Sequence, residues 1–140
     1  MNQSYITRSE ADTEALGQTL AKNLAPGTVI ALFGNLGAGK TAFVRGLARG
    51  LGVTGDVCSP TYALVHEYDG LVHFDMYRVS GAADLESTGW YDYLNQDCVI
   101  AVEWSENIID ELPGGCVRVH ISPGKNENER EILVACSPLG

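Results

Sequence analysis

Apolar positions along the 140-residue chain alternate between a spacing of about four residues and continuous or every-other-residue runs, which predicts helices and strands in alternation. Leu16, Leu20 and Leu24 share one helical face and predict a helix over 9–25, with Ser9 as cap, Asp12 three residues on and Pro26-Gly27 as stop. Thr28 to Phe33 is a continuous apolar, β-branched run of strand length, as expected for a central parallel strand covered on both faces. Residues 40–51 return to the helical spacing, with Phe43, Val44, Leu47, Ala48 and Leu51 on the inner face and Gly52 as stop.

Beyond Gly55 the pattern changes. Ala63 to Tyr68 alternates, Asp69-Gly70 is a tight turn, and Leu71 to Asp75 is the return strand, so an antiparallel hairpin interrupts the strand–helix order. Ser80 to Asn95 is mixed, with a short helix around Ala82–Glu86 and a loop carrying Gly89-Trp90. Val99 to Val102 is a second fully apolar run, ending on Glu103-Trp104. A helix from Ser105 to Leu112 follows, capped by Ser105 and stopped by Pro113-Gly114-Gly115. Val117–Ile121 and Glu131–Ala135 alternate as two further strands around a polar loop from Ser122 to Asn128. No internal repeat or low-complexity tract is present in the sequence.

Composition adds bounds. At 140 residues and 45% hydrophobic, the chain suits one domain, residues 1–140, with a substantial core. A formal charge of −9 opposes direct binding to nucleic-acid phosphates, and Arg45 with Arg49 reads as the solvated face of a helix. Cys58, Cys98, Cys116 and Cys136 form no C-x-x-C pair, so reduced, buried thiols are expected rather than a zinc or redox site. Neither an export signal nor a membrane-length apolar run is evident, which leads to an expected cytoplasmic location.

The chemistry centres on Gly34-Asn35-Leu36-Gly37-Ala38-Gly39-Lys40-Thr41, which fills every fixed position of the G-x-x-x-x-G-K-[ST] phosphate-binding loop. The motif lies between a predicted strand and a predicted helix, the context it requires. Its glycines permit a tight turn in which successive N–H groups, from Leu36, Gly37, Ala38 and Gly39 onward, converge on phosphate oxygens at a helix N-terminus. Lys40 supplies a mobile charge for the terminal phosphates and the Thr41 hydroxyl a ligand for Mg²⁺. With the alternating elements, this predicts an α/β, three-layer P-loop NTPase fold: a mostly parallel central sheet, an antiparallel hairpin insertion and a preceding N-terminal helix.

Two apolar runs end on acids, Asp75 and Glu103, and the C-terminal ends of parallel strands line the ligand crevice of such sheets. Either acid suits Mg²⁺ or its water, and the pattern leaves open which faces the metal. Ser59-Pro60-Thr61-Tyr62 reads equally as a switch that senses the γ-phosphate through Thr61 and as a proline turn opening a strand. His66 and His73 lie in opposed strands without a third metal ligand nearby, and Trp104 adjoins Glu103. The guanine-reading Asn-Lys-x-Asp motif is missing, which favours ATP over GTP. P-loop small-molecule kinases usually bring an arginine-rich lid, for which this chain has few arginines and little length, though Arg78 and Arg130 could each reach a phosphate. Three readings follow from the loop: an ATPase, a small-molecule kinase, and a binding module that nucleotide locks without appreciable hydrolysis.

The chain also resembles the TsaE family, formerly YjeE, the ATPase of bacterial tRNA threonylcarbamoyladenosine (t6A) biosynthesis. The likeness covers most of the chain and runs in the family's order: the loop Gly34–Thr41, the first switch Ser59-Pro60-Thr61-Tyr62, His73-Phe74-Asp75-Met76-Tyr77-Arg78, and Val102-Glu103-Trp104. By that resemblance Thr41 and Glu103 contact Mg²⁺, Lys40 and Asp75 are required for hydrolysis, and Trp104 supports the site or a partner interface. Glu10 and Arg130 lie where the family has residues near the nucleotide. Asn35 stands where the family usually has Asp, and Ala42 where it usually has a second Thr. The resemblance implies a weak, partner-activated ATPase that binds the TsaB–TsaD dimer and supports its repeated turnover, with tRNA reached through that complex. TsaD would carry the transfer of threonylcarbamoyl to the adenosine beside the anticodon.

Overall fold

The computed structural model describes residues 2–34, 37–53 and 65–136. In chain order its elements are strand β1 (Asn2–Thr7), helix α1 (Glu10–Ala21), β2 (Val29–Phe33), α2 (Gly37–Gly50), β3 (Val65–Tyr68) and β4 (Leu71–Asp75). Then come α3 (Ala82–Ser87), α4 (Trp90–Tyr93), β5 (Val99–Glu103), a 3₁₀ segment (Ser105–Glu111), β6 (Val117–Pro123) and β7 (Arg130–Cys136). All seven strands join one sheet in the order β1-β7-β6-β2-β5-β4-β3. The middle four, β6, β2, β5 and β4, run parallel, while β3, β7 and β1 pair antiparallel at the margins. This is the expected α/β architecture, and the continuous apolar runs have the expected cause: every residue of β2 and of β5 is buried.

The two sheet faces build two cores. Ile30, Leu32, Leu71, Val99, Ala101, Val119, Ile121, Ile132 and Val134 pack with Phe43, Val44 and Leu47 of α2, and Leu16 and Leu20 of α1 close over them. On the opposite face Val29, Val72, Phe74, Ile100 and Val102 pack with Leu85, Trp90 and Ile108. Toward the β1 margin that second face carries Ile6 and Leu133 open to solvent, at 62% and 37% exposure. Helices α1 and α2 approach closely because glycine lines their contact. A Cβ on Gly46 would fall 1.9 Å from the Glu14 carbonyl oxygen, and one on Gly17 would fall 2.4 Å from that of Phe43.

Five local expectations are revised. Strand β1 was not predicted; Asn2–Thr7 is largely polar and becomes a strand by pairing along β7, from Asn2 opposite Ala135 to Thr7 opposite Arg130. Ser9 caps α1 as expected, its Oγ accepting from Asp12 N–H at 3.1 Å, but the helix closes at Ala21. Residues 22–25 tighten into i→i+3 turns, with the N–H of Leu24 donating to the Ala21 carbonyl. The loop helix begins at Gly37 rather than at residue 40. Ser105 does not cap its segment: the N-cap position falls to Trp104, at φ 60° and ψ 41°, and Ser105 Oγ donates back to the Val102 carbonyl at 2.9 Å. Trp90, expected in a loop, opens α4 and is fully buried edge-on against Phe74. Cys116 is buried and Cys98 half-buried, both as free thiols, and burial raises the pKa of Cys98. Among the described residues no helix is long and apolar enough to cross a membrane.

Candidate nucleotide site

The site is assembled at the C-terminal ends of the parallel strands, where β2 feeds the phosphate-binding motif into α2. Gly34 holds φ 130°, and a Cβ there would lie 2.2 Å from the Ile121 carbonyl oxygen, so glycine is required by both conformation and space. Its N–H donates to Glu106 Oε2 at 3.4 Å. Gly37, Gly39 and Lys40 lie in the opening turn of α2, where N–H groups lack intrahelical acceptors, and Thr41 follows directly. Leu36 and the switch residues Ser59, Pro60, Thr61 and Tyr62 lie outside the described residues.

Lys40 is fully buried, and among the described residues its Nζ has no hydrogen-bond acceptor. The ammonium sits 4.2 Å from the centroid of the Trp104 ring, a cation–π contact. Burial lowers its pKa, opposed by the carboxylates of Glu103, Glu106 and Asp75. Around it the parallel register of β4 and β5 sets Asp75 directly opposite Glu103, so the two acids that end the apolar runs become neighbours. Asp75 Oδ1 accepts from the Tyr77 N–H at 2.9 Å. Burial raises the Asp75 pKa, and repulsion from Glu103 adds to this, against the lowering effects of the Tyr77 N–H, His73 and Lys40.

Trp104 is the one described non-glycine residue at positive φ. That left-handed turn drops the chain from β5 into the 3₁₀ segment and lays the indole against Tyr77, 4.9 Å between centroids. Asn107 fastens the same corner, its Nδ2 donating to the carbonyls of Met76 at 2.8 Å and Tyr77 at 3.2 Å. Trp104 therefore stands beside both Lys40 and the segment after Asp75.

On the α1 side, Glu10, Thr13, Gly39, Ala42, Asn128 and Arg130 line a pocket of about 70 Å³. Glu10 and Arg130, which the resemblance puts near the nucleotide, thus line one pocket beside the loop. Arg130 Nη1 donates to the carbonyls of Glu127 and Glu129, while its Nε is buried without an acceptor among the described residues. Glu10 accepts from Arg45 Nη1 at 3.2 Å, so Arg45 is an ion-pair partner of α1 more than a bare solvated charge. Arg78 is exposed after β4.

Two site residues escaped the sequence reading. Glu106 reaches Gly34 and the field around Lys40, and nothing in the chain marked it beyond lying just after Trp104. His73 stands opposite His66 in register, as expected, but its Nε2 lies 2.7 Å from Glu103 Oε2, whereas His66 Nδ1 lies 3.3 Å from the Tyr68 hydroxyl. The available signal was the spacing of two between His73 and Asp75, which puts both on one face of β4.

A family model described as threonylcarbamoyl adenosine biosynthesis protein TsaE matches residues 7–132. The tRNA threonylcarbamoyladenosine biosynthesis protein TsaE of Treponema pallidum is 38% identical, over 93% of this chain and 98% of its own length. Its namesake from Streptomyces coelicolor is 42% identical over 84% of this chain and 83% of its own length. The crystal structure of Bacillus subtilis YdiB superposes with a TM-score of 0.77 at 32% identity, covering 100% of this chain and 87% of that one. With the loop, both strand-ending acids and the Trp104 corner lying inside the matched span, the chain belongs to the TsaE family.

Proposed function

We propose that this chain hydrolyses ATP with Mg²⁺, as one cytoplasmic P-loop domain spanning residues 1–140, in support of t6A formation on tRNA. The pathway is supported by family membership, since the relatives are named for threonylcarbamoyladenosine biosynthesis. The observation that carries the chemistry is the buried Lys40 ammonium, without an acceptor among the described residues, at the start of α2 and in the field of Glu103, Glu106 and Asp75. A buried charge left unpaired is costly unless an anion arrives, and the terminal phosphates of ATP supply one.

The donor set fits the cation. Thr41, Asp75 and Glu103 offer only oxygen, the donor that Mg²⁺ prefers. Thr41 and Glu103 would hold it, and it would supply positive charge against that of the phosphates. Lys40 leaves the Trp104 ring for the terminal phosphates. Asp75, with a pKa raised by burial, orients the attacking water and accepts its proton. Glu10 and Arg130 bound the nucleotide on the α1 side, and Thr61 senses the γ-phosphate. Trp104 couples the site to a partner, which we take to be the TsaB–TsaD dimer. The charge of −9 suits a subunit that reaches tRNA through other proteins.

Steady-state ATP turnover with and without TsaB and TsaD tests this reading. Slow turnover that rises with the partners and disappears in Lys40→Ala is expected. Phosphate appearing on a metabolite would favour a kinase instead, and tight ATP binding with no turnover under any condition would favour a nucleotide-locked binding module.

A further inference from the structure

His73 is fully buried in the middle of β4, a position that an apolar side chain would fill at lower cost. Among the described residues its Nδ1 has no partner, so they hold the imidazole from one side only. The bond it does make is to Glu103, itself 3% exposed. A carboxylate oxygen accepts, so Nε2 is the protonated nitrogen and donates to Oε2 at 2.7 Å. Strand register explains the fit: Asp75 sits opposite Glu103, and His73 lies one pleat earlier on the same face.

The two acids are thereby anchored alike. Asp75 is held through Oδ1 by the Tyr77 N–H, and Glu103 through Oε2 by His73, which leaves one oxygen on each for other work. We propose that His73 is a positioning residue for Glu103, fixing its carboxylate so that Oε1 is presented to the cation that accompanies the nucleotide. The cation half of this inference rests on the ATPase reading above; the hydrogen bond does not. Partners that orient a metal-binding carboxylate commonly matter tenfold to a hundredfold in metal affinity.

Mg²⁺ titration of the chain carrying a fluorescent, non-hydrolysable ATP analogue measures that affinity directly. His73→Leu should weaken it about tenfold or more, with metal-free nucleotide affinity within about twofold of the parent. His73→Gln, whose amide can donate from nearly the same place, should recover most of the loss. In the nucleotide-free parent protein, ¹⁵N NMR should show His73 protonated at Nε2 and protected from exchange. An unchanged Mg²⁺ affinity in His73→Leu overturns the proposal, and so does a bare Nε2 in the NMR spectrum. If circular dichroism shows His73→Leu unfolded, the Gln variant decides: near-parental Mg²⁺ affinity supports positioning, and a tenfold loss despite a native fold refutes it. Parent protein that binds no Mg²⁺–nucleotide at all sinks the ATPase reading and the cation half together, whereas an Nε2 result against the bond sinks this inference alone.

Discussion

Lys40 and Asp75 are each burdened by the position that makes them useful. The ammonium of Lys40 is buried against Trp104 without an acceptor among the described residues, and burial depresses its pKa from 10.5. Lys40→Met keeps the length and removes the charge, so it should raise the melting temperature of the nucleotide-free protein while cutting ATP turnover by about a hundredfold or more. Calorimetry and a phosphate-release assay read the two effects separately. Asp75 is shifted upward from 3.8. Between 3.8 and its raised folded value the native chain keeps a proton that the unfolded chain has released, so this group's contribution to stability is lost as pH rises through that window. Asp75→Asn should therefore gain stability relative to the parent as pH climbs from about 3.8 toward neutrality, seen as a growing difference in melting temperature. A difference that shrinks with pH would contradict the assigned shift.

At the scale of elements, the α1–α2 contact is the most exacting. Gly46 and Gly17 let two backbones touch, and the helices carry the loop and part of the pocket formed by Glu10 and Arg130. Gly46→Ala should destabilise the fold by about 1–3 kcal/mol, despite alanine's better helix propensity, because the neighbouring atom is backbone and cannot step aside. Urea unfolding measures this, and a stabilised variant would mean that the helices separate freely. The leucine spacing of α1 and the apolar runs of β2, β4 and β5 were legible in sequence because each repeats its burial pattern locally. β1 was not, since Asn2–Thr7 owes its extended form to β7, far along the chain. The Ser105 cap failed for a related reason: the turn after β5 is set by Trp104 packing on Tyr77, with Asn107 bonded to the segment after β4.

Over the whole molecule, four parallel strands aim their C-terminal ends at one edge, and the phosphate loop, Asp75, Glu103 and Trp104 collect there. The chain carries a formal net charge of −9. The isolated chain should show no measurable tRNA binding at physiological salt, because its net field repels a phosphate backbone. Fluorescence anisotropy with labelled tRNA checks this, and micromolar binding that weakens with salt would reveal a basic patch strong enough to override the net charge.

The sequence by itself determined the phosphate loop, because its eight residues are contiguous and their roles follow from local backbone geometry and a helix N-terminus. It also determined that two acids end apolar strands, and the order of motifs pointed to the family. Only the tertiary structure decided that Asp75 and Glu103 stand side by side, since that depends on which strands pair and in what register. The same pairing turned His73 from half of a histidine pair into the anchor of Glu103, and it brought Trp104 beneath the Lys40 ammonium. Long-range register is set by the packing of whole faces, and no local stretch of sequence contains it.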